Sequence, residues 1–347
     1  MITPFGLFLL LGFVAAYVTF RLEYRRKEAE GIIKPFAAPT RIVHPLLWGL
    51  AGFIAGAKLV YWWQHRYQYI GTPQDFIFSL RGNLIAGLVC GLAVWLIAKR
   101  RSSPKTVTEV VHPYQLMDRL LLYCGLFGFA GAVLFAKLED AAAHRSIVAF
   151  NGLNYYGGLI AGALTYLYIN KRYGIRAAIA ADIGSPGMML AYAVGRIGCH
   201  VAGDGDWGIV NEQTKPVWLP AWLWTSRYAH NSAHQGIYIP GCTGSNCTIL
   251  PEPVYPTPLY EAIICFGLFL LLWKLRRSIK IPGNLFAYFA ILNGVERFAI
   301  EFIRVNPRYA IGPWNLSQAQ IIAVGWMLTG LTVLLLFQRK NSSTILP

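Results

Sequence analysis

Arg196 is the residue of this 347-residue chain that most demands a chemical reason. It leaves an apolar run, Met188 to Val194, within Gly195-Arg196-Ile197-Gly198-Cys199-His200-Val201-Ala202-Gly203-Asp204-Gly205-Asp206-Trp207-Gly208. Insertion scales put an arginine at the centre of a membrane helix at about 2.5–3.5 kcal/mol, and less near an interface. The glycines let backbone approach a ligand or end a helix at positive φ. A guanidinium fork beside exposed backbone N–H groups suits a phosphate. A helix that ends at the interface, with Arg196 snorkelling and the Gly/Asp cluster forming a turn, fits the same spacing. Arg297 lies four residues before Glu301, so the two share a helical face, and an ion pair between them can also orient the arginine. Glu261 opens another apolar run, where a carboxylate can simply answer the helix dipole. His200 stands at a helix end, as an interface hydrogen-bonding residue or as a base.

The elements that must position these residues are membrane helices. The chain is 55% hydrophobic and 14% charged, with mean hydropathy +0.44, whereas soluble domains carry about 25% charged residues. The fold class expected is an all-α polytopic integral membrane protein. Apolar runs of spanning length fall near 3–20, 45–63, 83–98, 119–138, 153–169, 180–200, 258–274, 284–303 and 317–337, about nine transmembrane helices. The first run has its basic residues after it, the reverse of a cleaved signal peptide, and is expected to be retained.

The net charge of +15 is read as basic cytoplasmic loops near anionic lipid, with no nucleic acid as partner. Lys/Arg cluster in alternate loops: Arg21 to Arg41, Lys99 to Lys105, Lys171 to Arg176, Lys274 to Lys280, and Arg339-Lys340. The intervening loops hold few: Arg66 and Arg81, Arg145, Lys215 and Arg227, Arg304 and Arg308. That alternation predicts an N-terminus outside and a C-terminus inside. It divides the chain into spans one to six (1–201), an extracytoplasmic head (202–257) rich in Trp, Tyr, Pro and Gly, and spans seven to nine (258–347). Cys242 and Cys247, in a polar stretch of that head, are expected to form a disulfide if the compartment is oxidising. Lys58 and Lys137, near span ends, are expected to snorkel. Ala55-Gly56-Ala57 recurs as Ala130-Gly131-Ala132, and Gly82-x-Leu-Ile-Ala-Gly recurs from Gly157. Both matches are 75 residues apart (56 to 131, 82 to 157), which predicts a duplicated hairpin, 45–98 and 119–169. Common small residues at helix contacts are the alternative.

Four motifs in order resemble the prolipoprotein diacylglyceryl transferase family. Gly195, Arg196 and Gly198 match its G-R-x-G-N-F-x-N-x-E-x-x-G signature, with Asp204 at the Glu and Gly208 one residue late. Tyr156-Gly157-Gly158-Leu-Ile resembles H-G-G-L-I-G. Tyr255-Pro-Thr-Pro-Leu-Tyr260-Glu261-Ala resembles H-P-[ST]-Q-L-Y-E-A. Gly294-Val-Glu-Arg297-Phe-Ala-Ile-Glu301-Phe-Ile-Arg304 resembles G-x-x-R-F-x-x-E-F-x-R. The first span, from Phe5-Gly6-Leu7, is similar to the family's Y-G-L start. The sequence departs from the family at Phe5, at Cys199 and Ala202 for the two Asn, and at Tyr156 for the His. Spans two and three look inserted.

The resemblance implies transfer of diacylglyceryl from phosphatidylglycerol to a lipobox cysteine of a prolipoprotein signal peptide, releasing glycerol 1-phosphate, in a bacterial cytoplasmic membrane. It implies catalytic Arg196, Arg297, Tyr156, Asp204 and Glu301. It places Gly157, Gly158, Gly198, Cys199, His200, Gly208, Tyr260 and Glu261 around the substrate. The proton acceptor is open between Tyr156, His200 and Asp204, and Gly157-Gly158 between helix packing and approach to lipid. No cofactor or metal is implied, since no Asp/His cluster has ligand spacing. A paralogous transferase with another acceptor, and a small-molecule transporter, are the rival readings. Against the transporter, the charged residues cluster toward outer span ends, while transporter sites sit near the midplane.

Overall fold

The computed structural model describes residues 4–39, 45–65, 82–100, 108–142, 154–311 and 313–342. The loop charges Arg41, Arg66, Arg81, Arg101, Lys105 and Arg145 lie outside the described residues. The chain is mostly helical and forms two compact units, Met1–Arg26 with Ile175–Pro347, and Lys27–Gly174. The long helices are α1 (Pro4–Ala29), α2 (Pro45–His65), α3 (Leu84–Arg100), α4 (Leu116–Ala142), α5 (Tyr155–Arg172), α6 (Ala177–Ala202), α7 (Thr257–Leu275), α8 (Asn284–Ile300) and α9 (Gln318–Ser342). Each expected apolar run falls on one of them. Among the described residues, five stretches, Phe5–Ala29, Pro113–Ala141, Ala177–Ala202, Thr257–Leu275 and Gln318–Leu336, are long and apolar enough to cross a membrane.

In the first unit, α6, α7 and α8 enclose a core of Met189, Ala193, Cys265, Leu272 and Leu285. Small residues set the contacts. A Cβ on Gly198 would stand 2.8 Å from the Phe8 Cβ of α1, and one on Gly294 would stand 2.9 Å from the Ala323 carbonyl of α9. The start of α8 is held by Asp182 of α6, whose carboxylate accepts from the N–H groups of Gly283 at 2.7 Å and Phe286 at 2.9 Å. A carboxylate at a helix N-terminus answers both the orphan donors and the dipole.

Between α6 and α7 the chain leaves helix. Gly203 ends α6 at φ 59° with its N–H on the Cys199 carbonyl. The segment that follows is held by the paired two-residue strands β1 (Ile237–Tyr238) and β2 (Thr248–Ile249), by bridges pairing Val210 and Ser226 with Val254, and by a small core of Trp207, Tyr228, Leu250 and Val254. Cys242 and Cys247 are disulfide-bonded, Cα–Cα 5.6 Å.

The second unit contains two helical hairpins, α2 with α3 and α4 with α5. Their contacts repeat. Gly56 faces Cys90 Cβ and the Ala86 carbonyl, and Gly131 faces Ala161 Cβ and the Gly157 carbonyl, all too close for a side chain. The Asn83 N–H donates to the Ala57 carbonyl at 2.9 Å, and the Asn154 N–H to that of Ala132 at 3.1 Å. Each asparagine side chain also accepts an N–H three residues on, from Ala86 at 3.0 Å and from Gly157 at 2.7 Å. The first helices therefore correspond at a spacing of 75 residues (56 to 131), but the second helices at 71 (83 to 154, 86 to 157, 90 to 161). The matched pair Gly82 and Gly157 is out of this register, because the capping asparagine fixes where each second helix begins.

Candidate active site

Three elements of the first unit converge on one carboxylate. Glu261, in the first turn and a half of α7, is completely buried. Its Oε1 accepts from Arg297 Nη1 at 2.6 Å and from the Tyr192 hydroxyl at 3.3 Å; its Oε2 faces Arg304 Nη1 at 3.1 Å and Arg196 Nε at 3.3 Å. Arg196 comes from the last turns of α6, where its guanidinium also lies 4.9 Å from the Tyr192 ring centroid. Arg297 lies near the end of α8, and Arg304 in the chain beyond. Glu261 thus serves three cations. Its role goes beyond answering the helix dipole, one of the readings its position allows.

Two further carboxylates complete the cluster. Arg297 Nη2 lies 3.1 Å from Glu301, on the expected i,i+4 pair, and Asn306 also donates to Glu301. Asp206 receives Arg196 on one oxygen and Arg304 Nη2 at 2.5 Å on the other. Burial works against Asp206 ionising, but Arg196 and Arg304 outweigh it and hold its carboxyl below the ordinary aspartate range. Asp206, not Asp204, is therefore the arginine partner from the central stretch. Asp204 is exposed, and its Oδ1 accepts the Asp206 N–H at 3.3 Å, holding the turn. Gly203 and Gly205, at φ 59° and 100°, supply the reversal that brings residue 206 back over α6.

The remaining expected residues frame the cluster. Cys199 is buried with a free thiol 3.9 Å from Arg196 Nη1. Its sulfur and the Asp204 and Asp206 oxygens lie within 4.8 Å of one another, a proximity invisible in sequence spacing, but two arginines already occupy Asp206. His200 Nδ1 lies 3.0 Å from the Tyr228 hydroxyl, with the two rings edge to face. Burial pushes the Tyr228 phenol above its ordinary value. Gly208 donates to the Tyr255 carbonyl at 2.9 Å, and a Cβ there would stand 2.6 Å from the Ile303 carbonyl, so this glycine seats the strand beside Arg304. The Tyr260 hydroxyl donates to the Leu223 carbonyl at 2.8 Å.

Tyr156, Gly157 and Gly158 belong to the other unit, on α5. Tyr156 is 37% exposed. A Cβ on Gly157 would stand 2.5 Å from the Phe135 Cβ and 2.6 Å from the Gly131 carbonyl, and one on Gly158 would stand 3.2 Å from the Ala132 Cβ. Both glycines lie in close contact with α4, which accords with helix packing, one of the two roles their spacing allows. The cluster residues not singled out in the sequence are Arg304, Asp206 and Tyr192. Arg304 is the last residue of its motif, the one signal that pointed to it.

The arrangement is a buried cluster of three arginines held by three carboxylates, partly open on the Asp206 side. It can bind an anion and stabilise charge on a leaving oxyanion. A sequence model of the prolipoprotein diacylglyceryl transferase family matches residues 83–336. Relatives named phosphatidylglycerol–prolipoprotein diacylglyceryl transferase share its sequence. That of Leptospira interrogans is 24% identical over 99% of this chain and 92% of its own. That of Pseudomonas aeruginosa is 25% identical over 72% of this chain and 86% of its own. That of Clostridium tetani is 31% identical over 53% of this chain and 63% of its own.

Proposed function

The chain belongs to the prolipoprotein diacylglyceryl transferase family, and on that footing we propose that it transfers the diacylglyceryl group of phosphatidylglycerol to the thiol of a lipobox cysteine. The observation that carries this is the meeting of Arg196, Arg297 and Arg304 on the buried Glu261. In the reaction the thiolate sulfur attacks the glyceryl carbon that bears the phosphate ester. The new bond is S–C, the C–O bond to phosphate breaks, and the electron pair leaves on glycerol 1-phosphate. The arginines hold the phosphodiester and then the departing dianion, because a guanidinium stays charged and binds two oxygens in a fork.

Three arginines are matched by three carboxylates, so the cluster is neutral before lipid arrives. Phosphate must therefore displace a carboxylate. Glu261 and Glu301 are buried, while the Asp206 side chain is 34% exposed, so Asp206 is the one that yields and marks where the phosphate sits. The thiol, of ordinary pKa about 8.5, gives its proton to Asp204, His200 or Tyr156. Cys199 itself stays out of the covalent chemistry.

The site lies at the outer leaflet of the bacterial cytoplasmic membrane. All nine helices cross, with the N-terminus outside, residues 202–257 forming an outer head and the C-terminus inside. The supports are the alternation of loop charge and the exposed Trp218 and Trp222 of the head, residues that favour the headgroup zone. The similar contacts of the two hairpins support their origin by duplication. The test is release of glycerol phosphate from labelled phosphatidylglycerol by purified protein. Release that requires a lipobox peptide is expected; release that ignores the peptide, or no release with both substrates present, would overturn the reading.

A further inference from the structure

Beside the arginine cluster, α7 and α8 enclose a groove of about 400 Å³ lined by Ile264 and Leu268 of α7 and by Leu292, Val295, Glu296, Ala299, Ile300 and Ile303. The positions from 292 to 300 recur at three- and four-residue steps, one face of α8, and Ile303 extends it in the 3-10 turn that follows. At 1.5 Å per residue the face is about 16 Å long. It ends at Ile303, next to Arg304. Every lining side chain but one is apolar. The exception, Glu296, is 5% exposed. Neither of its carboxyl oxygens has an N–H or O–H donor among the described residues; the Cys265 thiol beside it is a weak donor.

A buried carboxyl without a donor is costly unless a ligand supplies one. The occupant must be apolar enough for the groove and must carry a donor. A phosphodiester calls for cations, and the groove lining has none, whereas the arginine cluster provides them. An acyl chain fills apolar space but leaves Glu296 unpaired. A transmembrane helix has its own N–H groups satisfied and, at about 10–12 Å across, is too wide to enter. An extended peptide segment meets all the requirements: it offers uncapped N–H groups, and at about 3.3 Å per residue roughly five residues span the face.

Resting on the transfer reaction proposed above, the geometry points to this groove as the acceptor-peptide site. It takes the apolar segment beside the acceptor cysteine in extended form. Glu296 accepts a peptide N–H, and the end at Ile303 delivers the thiol to the arginine-held lipid.

The test combines binding and kinetics on the full-length protein. A benzophenone amino acid at Val295 is irradiated with a lipobox peptide whose acceptor cysteine is replaced by serine, in phosphatidylglycerol nanodiscs. Capture of the peptide, weakened by Ala299→Phe, is expected, and this readout does not need the transfer reaction. In turnover, Ala299→Phe should raise the peptide KM about tenfold with the lipid KM within twofold. Glu296→Gln, nearly isosteric and able to fold, should raise the peptide KM severalfold, and Glu296→Leu more. Capture of lipid alone, or a KM shift confined to lipid, would assign the groove to an acyl chain and overturn the proposal. Unchanged KM values in Glu296→Leu would overturn it as well. Peptide capture without any transfer would instead leave the groove standing and remove the reaction.

Discussion

Replacing Glu261 with glutamine should do more damage than any other single change of similar size. The carboxylate meets Arg297 at 2.6 Å, Arg304 at 3.1 Å and Arg196 at 3.3 Å, with the Tyr192 hydroxyl at 3.3 Å. Glutamine keeps one acceptor oxygen and turns an N–H₂ group toward cations. Three arginines would then share Asp206 and Glu301. Charge-assisted bonds are worth about 1.5–3 kcal/mol each, but bonds to one group do not add. Removing one partner of a buried pair costs about 3–5 kcal/mol, because charge is left uncompensated. The lower end applies here, since the neighbouring Asp206 side chain is 34% exposed and water can reach part of the cluster. At about 1.4 kcal/mol per tenfold, a loss of 3 kcal/mol from arginine positioning is about a 10²-fold fall in kcat/KM. Thermal unfolding in detergent and glycerol phosphate release are read on the same preparation. Glu261→Gln should melt well below the parent and lose about 10²-fold in kcat/KM. A variant that melts with the parent and keeps turnover within about threefold would refute Glu261 as the hub.

At Arg196 and Arg297, lysine keeps the charge but loses the fork, so phosphatidylglycerol binding should fall in the order Arg, Lys, Ala, and equal binding by all three would remove the clamp. Asp206 has its carboxyl held below the usual value of about 3.9. Its stabilising contribution is therefore present above pH 4 and lost as pH falls through the lower folded value, and Asp206→Asn should flatten that acid limb of a melting-temperature profile. For the proton acceptor, Tyr156→Phe, His200→Ala and Asp204→Asn are compared; the true base should lose about 10²–10⁴-fold in kcat, and three silent variants would mean the base lies elsewhere. A cysteine introduced at residue 230 should react with a membrane-impermeant reagent in intact cells; reaction only after permeabilisation contradicts the outer head.

The helices were legible because apolar length is a property of a single run. Every expected span coincides with a helix, with ends moved by a few residues where a cap decides, as Gly203 does for α6 and Asn154 for α5. The Arg297–Glu301 pair was legible because a four-residue spacing places both on one face. Glu261 was underread because its partners lie 65, 36 and 43 residues away in sequence. Asp204 was preferred to Asp206 on motif position alone, and only the two positive-φ glycines show which aspartate turns inward. The repeat was visible in small residues, but its register was not, since small residues recur every few positions and the capping asparagines, not the glycines, set the second helix. Gly157 and Gly158 could not be assigned from type, because packing against Phe135 and approach to a lipid both call for glycine.

The fate of the acceptor cysteine distinguishes a diacylglyceryl transferase most directly from any other lipid-binding membrane protein. Purified protein is incubated with phosphatidylglycerol of defined acyl chains and a synthetic lipobox peptide, and the peptide is weighed by mass spectrometry. A gain of one diacylglyceryl group of those chains is expected, located on the cysteine, absent when serine replaces that cysteine and strongly reduced in Arg297→Ala. A peptide that keeps its mass while the protein is folded and binds phosphatidylglycerol would contradict it, as would a mass gain on any residue other than that cysteine.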